Sequence, residues 1–359
     1  MFFHVDADTG STISGWFAPD NPSLSATLTI LVDGQQVATV IADIPRNDVR
    51  EQGLHNTGHV GFRIDKAVLP NIDAATDLEV VETHSWLPIH RRLQKGQHIE
   101  RRLFMFDASI MPRRNFQDQI RRYFSLCYFH SERNSLETNI VAISNSQASS
   151  IFMGGQLNYS RYNHFIETSA YVRSAILRNP FNELAERLVF LNFLFKSGKG
   201  ALANSFATGM TPLFELARDI QWTDSKAALQ CFRQLNDEQR KALTSPMVRM
   251  LGCELDEAVT HRHVSVALEH LASMDVVGTR ENFGAFSALL RQTLGAGTFD
   301  IGVPNEFPTV ETIATTLSKI GLVVDLLEHD LSLYSFATQA IDIGLKGQES
   351  NSQRANQAT

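Results

Sequence analysis

Arginine carries the chemistry most legible in this chain. In AILRNPFNELAERLVFLNFL (175–194) an apolar run ends on Arg178, breaks at Asn179-Pro180 and resumes as an amphipathic helix. Proline lacks an N–H and biases the residue before it away from helical backbone, so the break marks a turn. Arg178 is therefore expected at the C-terminal end of a strand, where open α/β sheets bind ligands. A guanidinium there offers a planar, two-pronged donor array suited to phosphate, sulfate or carboxylate. Arg113 and Arg114 are expected at a helix N-terminus, where free amides and the helix dipole also favour anions. An ordinary salt bridge at a strand end is the competing reading for Arg178.

Two regions of different patterning must position these groups. Residues 1–95 read as an all-β sandwich domain. ATLTILVDGQQVATVIAD alternates apolar and polar residues on both sides of Asp33-Gly34, a hairpin signal, and GHVGFRID and DLEVVETHSWLP add short strands. Residues 103–345 read as an α/β domain. RLFMF (102–106), NIVAIS (139–144) and YVRSAILR (171–178) are its expected strands, and NFQDQIRRYFSLCYF an expected helix. DSKAALQCFRQL, VSVALEHLA, NFGAFSALLRQTL and TVETIATTLSKIG predict later helices. RLQKGQHIERR (92–102) reads as a linker, and the polar stretch 346–359 as a disordered tail.

Four places in the second region, in one shared order, resemble the carbohydrate sulfotransferases, in particular the uronyl 2-O-sulfotransferases and bacterial relatives. The run around Arg178 resembles LRDPxERLxS, the segment that grips the 3′-phosphate of the donor phosphoadenosine phosphosulfate. Arg178 and Pro180 match directly, and Glu186-Arg187-Leu188-Val189 match ERLV after an extra helical turn, which implies phosphate-binding roles for Arg178 and Arg187. MFDASIMPRRNF (105–116) stands in for the 5′-phosphosulfate loop, roughly FFHIPKTAGTSL. Ile110 takes the place of its lysine, Arg113 of a glycine, and Arg114-Asn115 of two hydroxyl residues, so Arg113, Arg114 and Asn115 are the implied donor contacts. GGQLNYSRYNHF (154–165) is similar to a GHxxY segment whose histidine is the proposed base, with Gln156 at that position. Glutamine does not take a proton from a hydroxyl, which leaves His164 as the candidate catalytic base, although a solitary histidine is more often structural. Val277-Gly278-Thr279-Arg280-Glu281 resembles a VGxxE strand-to-helix step, and Asp330, Leu333 and Tyr334 a late packing element.

The resemblance implies a sulfotransferase-like, P-loop-related fold: a short parallel sheet flanked by helices, preceded by the β-sandwich. It also implies sulfuryl transfer from phosphoadenosine phosphosulfate to a sugar hydroxyl of a bacterial glycan. Such transfer needs charge stabilisation at the bridging oxygen and a base near the acceptor. With Ile110 and Gln156 in the two key positions, a catalytically inactive glycan-binding or assembly protein on the same fold is the alternative, and both stand open. The β region resembles modules attached to bacterial glycan-processing enzymes.

Composition narrows the partners. A length of 359 residues suits two domains, and a net charge of -7 argues against general nucleic-acid binding. The expected ligand is a glycan or another anionic small molecule, with a protein partner on the assembly reading. No apolar run reaches the roughly 20 residues that span a bilayer. MFFHVDADTG lacks the pattern of a secretory signal, and Cys127, Cys231 and Cys253 lie singly, which together fit a cytoplasmic protein. His261 and His263 have no convergent Cys or Glu spacing, so no metal site is expected. Arginine pairs recur at 91–92, 101–102, 113–114 and 121–122.

Overall fold

The structure, a computed structural model, describes residues 1–111, 113–198, 211–218, 222–254 and 257–357. It is a mixed α/β protein. Strands β1 (Phe2–Asp8), β2 (Ile13–Ala18), β5 (Ile44–Pro45) and β6 (His59–Ile64) form an antiparallel sheet in the order β1-β2-β6-β5. Strands β3 (Thr27–Val32), β4 (Gln35–Ile41), β7 (Leu78–Glu82) and β8 (Pro88–Arg91) form a second, in the order β4-β3-β7-β8. The Asp33-Gly34 hairpin forms as expected. Val32 pairs with Gln35, and φ is 51° at Asp33 and 73° at Gly34. Positive φ at both central residues matches the right-handed twist of the flanking strands.

The third sheet has five parallel strands flanked by helices: β9 (Arg102–Asp107), β10 (Leu126–Tyr128), β11 (Ile151–Gly155), β12 (Val172–Leu177) and β13 (Val276–Thr279). Their order is β10-β11-β9-β12-β13. Leu103, Phe104, Met105 and Phe106 are all buried, as a central strand covered on both faces requires. From β9 the chain runs to β10 on one side, whereas from β12 it runs to β13 on the other. The direction of winding therefore reverses between β9 and β12, and the loops that follow these two strands border the crevice where such sheets take ligands. Gly278 in β13 is required by packing, because an added Cβ would lie 2.7 Å from Phe286 Cβ.

Three local expectations are corrected. NIVAIS is helical, within Leu136–Ile143, because Ser135 caps that helix by accepting from the Thr138 amide at 3.2 Å. Its buried residues Thr138, Asn139, Ala142 and Ile143 follow helical spacing, which a short apolar run alone does not reveal. The helix expected over NFQDQIRRYFSLCYF spans only Arg114–Arg121, and the chain re-enters the sheet as β10. The last helix, Gly321–Gln357, continues through 346–357, where the sequence predicts disorder; residues 358–359 lie outside the described residues. An established helix adds residues without a new nucleation cost, so polar residues extend it.

By internal contacts the chain forms two compact units. One holds Met1–Phe104, Gln117–Met153 and His164–Tyr171; the other holds Met105–Phe116, Gly154–Asn163 and Val172–Thr359. In the second, helices Pro180–Lys196, Ser225–Arg233 and Val310–Leu317 share an apolar core with the start of Gly321–Gln357. No helix among the described residues is long and apolar enough to cross a membrane.

Candidate functional site

The strand–turn–helix at Arg178 forms as the proline break predicts. Strand β12 ends at Leu177, and Asn179 Oδ1 accepts from the Phe181 amide at 3.0 Å. Pro180 sits in the first turn, where a missing N–H costs nothing. The helix Pro180–Lys196 then carries Glu183, Glu186 and Arg187 on one face, by i, i+3 and i+4 spacing, and all three are buried.

These residues meet the ends of the neighbouring strands in a dense ion network within the second unit. Glu186, 1% exposed, is its centre. Arg178 Nη1 lies 2.6 Å from Glu186 Oε2, Arg280 Nη1 3.2 Å and Arg113 Nη2 3.6 Å, and the Ser109 hydroxyl donates to the same oxygen at 3.0 Å. Arg113 also pairs with Asp107, the last residue of β9. Arg187 Nη2 stands 3.4 Å from Glu183 Oε1, and Arg178 also pairs with Glu306. Burial opposes ionisation of Glu186, but Arg113, Arg178, Arg280 and the Ser109 hydroxyl outweigh it and hold this carboxyl below its ordinary value. Glu183 goes the other way: burial, with Glu186 close by, raises it despite Arg187 and Arg178.

The loop after β9 completes the picture. Ser109 N–H donates to Asp107 Oδ1 at 3.0 Å, and Met111 N–H donates to Ser109 Oγ at 3.3 Å. The Ala108 carbonyl accepts from Gln156 Nε2 at 2.7 Å and Arg187 Nη2 at 3.1 Å. Two of the loop's amides are thus bound by the Asp107 and Ser109 side chains, and a carbonyl oxygen meets Gln156 and Arg187. Ile110 is buried in the apolar core with Leu184, Leu188 and Leu191.

Of the residues named from sequence, the structure brings together Arg113, Arg178 and Arg187. Arg114 and Asn115 stand exposed at the start of their helix. His164 belongs to the other unit, on the exposed face of the helix Tyr159–Thr168, with its ring edge-on to Phe165 at 5.8 Å. Sequence reasoning did not single out Asp107 and Glu306, and it gave Glu183, Glu186 and Arg280 no part in an ion network. The signal for the two helical glutamates was present: paired acids three apart, with Arg187 four after Glu183, in an otherwise apolar helix.

A convergence at His263 was also missed. Cys253, Glu257 and His263 bring their donor atoms within 4.8 Å of one another. His263 Nδ1 accepts from the Thr260 amide at 3.0 Å, which places the ring proton on Nε2, where Glu257 Oε2 lies at 3.2 Å. A metal at Nε2 would have to displace that proton while Nδ1 stayed an acceptor. In the geometry observed, His263 and Glu257 are thus joined as a pair.

In the remaining arginine pairs, Arg91, Arg92 and Arg102 are used structurally. Arg91 pairs with Asp77, and Arg92 donates to Asp8 and the carbonyls of Gly10, Ile72 and Ala75. Arg102 donates to the carbonyls of Asn145, Ala148 and Ser169. Comparison with known protein families and with curated proteins found no match to this chain.

Proposed function

We propose that the region from about 103 to 341 is a sulfotransferase-like domain without sulfuryl-transfer activity, and that the protein works as a glycan-binding or assembly protein. The observation that carries this reading is Glu186. It occupies the centre of an arginine cluster at the winding reversal, where the resemblance implies an anionic donor. A phosphosulfate brought there would meet arginines whose charge Glu186 already balances, which leaves no uncompensated cation to stabilise charge developing at a bridging oxygen.

The chemistry fails at two further points. Transfer needs a cation beside the bridging oxygen, but position 110 holds a buried isoleucine in the apolar core. It also needs a base, but the position implied for the histidine holds Gln156, whose amide is committed to the Ala108 carbonyl. The N-terminal β-sheets, read as a sandwich of the kind attached to glycan-processing enzymes, support a glycan as the ligand. The test is incubation with radiolabelled phosphoadenosine phosphosulfate and a panel of bacterial polysaccharides. The expected result is label transfer at the protein-free blank. Transfer above the blank that disappears in Arg113→Ala would overturn the reading.

A further inference from the structure

Glu186 and Glu306 both pair with Arg178, but they are held very differently. Glu186 is 1% exposed and anchored by three arginines and a hydroxyl, whereas the Glu306 side chain is 48% exposed and pairs with Arg178 alone among the described residues. Glu306 lies in the stretch 301–308, which has no helix or strand. That stretch is anchored by buried Ile301 at one end and buried Val310 just past the other, with Phe307 against Phe193 at 6.1 Å. Its middle is fastened by arginine: Arg280 Nη2 donates to the Pro304 carbonyl at 3.2 Å and the Asn305 carbonyl at 3.4 Å.

Arg178 itself is 4% exposed, and although both terminal nitrogens are charge-paired, neither makes an aligned hydrogen bond. A guanidinium that is neutralised but poorly bonded gains from a ligand whose oxygens can meet its planar fork. With Glu306 gone, four guanidiniums (Arg113, Arg178, Arg187, Arg280) face three carboxyl groups (Asp107, Glu183, Glu186), and burial favours the neutral form of Glu183. The cluster then carries a positive excess.

We propose that the 301–308 stretch is a displaceable acidic strap. Glu306 is the chain's own stand-in for a tetrahedral dianion, a phosphate or sulfate group, which binds Arg178 only by expelling the Glu306 carboxylate. This rests on reading the cleft as an anion site without transfer chemistry. The bond exchanged is an ion pair with a half-exposed partner, which is weakly held, whereas exchanging Glu186 would strand buried charges. The strap thus selects for strongly charged anions and rejects neutral sugars at this point.

Calorimetric titration with inorganic sulfate and with phosphoadenosine phosphate, on wild type and on Glu306→Gln, tests the strap. Glu306→Gln is expected to tighten binding of at least one probe tenfold or more, and Arg178→Gln added to it is expected to abolish the gain. Enhancement for both probes identifies a free oxyanion site, and enhancement for the bisphosphate alone identifies a nucleotide site. Hydrogen exchange on wild type gives the second readout, with faster exchange over 302–308 expected when the probe binds. Unchanged or weaker binding in Glu306→Gln, or slower exchange over 302–308, would overturn the strap. Neither result bears on the absence of transfer, which the labelled-donor assay decides by itself.

Discussion

At the scale of single residues, the site turns on which groups carry charge and where they are buried. Glu186→Gln leaves three guanidiniums without their common counter-ion. Removing one partner of a buried ion pair typically costs about 3–5 kcal/mol, so a loss of that order in unfolding free energy is expected by urea titration. The pH signature follows from the sign of the shift. Glu186 is depressed in the folded protein, so its contribution is present above the ordinary carboxylate range and is lost as the pH falls through its lower folded value. Glu186→Gln should remove that part of the acid limb of the stability profile. Ile110→Lys offers a complementary test. In a loop that cradles phosphosulfate, a lysine here would restore charge at the donor, but position 110 lies in the apolar core. The expected outcome is a lower melting temperature, by an amount matching about 3 kcal/mol or more, and no gain of labelled-donor turnover. Sequence exposed Arg178 because a proline break is a local signal, read within four residues. The partners of Arg178 were hidden because Glu186 and Glu306 reach it from other elements, and only tertiary structure decides whether a guanidinium meets a ligand or its own chain.

The elements that hold these residues show a similar division. Asn179 is both the break in the sequence and the cap of the helix Pro180–Lys196. Asn179→Ala should cost about 1 kcal/mol, the usual value of a lost N-cap, seen as a drop of a few degrees in melting temperature. Asp330 performs the same service across the fold, accepting from the Met247 amide at 3.1 Å and the Val248 amide at 2.8 Å at the start of the helix Pro246–Gly252. Burial pushes its carboxyl up to about 7, against those two bonds. A raised carboxyl contributes most below its unfolded value and loses that contribution as the pH rises through its folded value. Stability should therefore decline between about pH 4 and 7 more steeply in wild type than in Asp330→Asn, and equal slopes by denaturant titration would refute it. The apolar strand β9, the Asp33-Gly34 hairpin and the long amphipathic helices were legible because their periods are strong. NIVAIS and SLCYF exchanged identities because a run of four apolar residues fits a buried strand and a helix equally well, and a cap at Ser135 settled the first.

At the scale of the molecule, the change in patterning near residue 95 is real, but contacts do not stop there. Within the first unit, Arg91 donates to the Arg121 carbonyl at 3.1 Å, and the Ile99 amide donates to the Tyr123 carbonyl at 2.7 Å. Lys95 and Gly96 stand exposed between these ties. Trypsin should nick the chain after Lys95 while the two pieces continue to co-elute on gel filtration at physiological salt; separation into two peaks would count against it. The ion network has a consequence for how descent would be read. Arg113, Arg178 and Arg280 now answer to Glu186, so each is retained by selection for folding whether or not any ligand ever arrives. Invariance of these arginines among relatives would report the fold's need for them, and would carry no information about a ligand. The network is also a ratchet. Any path that loses Glu186 must first pass through a destabilised intermediate, because its substitution removes the carboxylate that Arg113, Arg178 and Arg280 share.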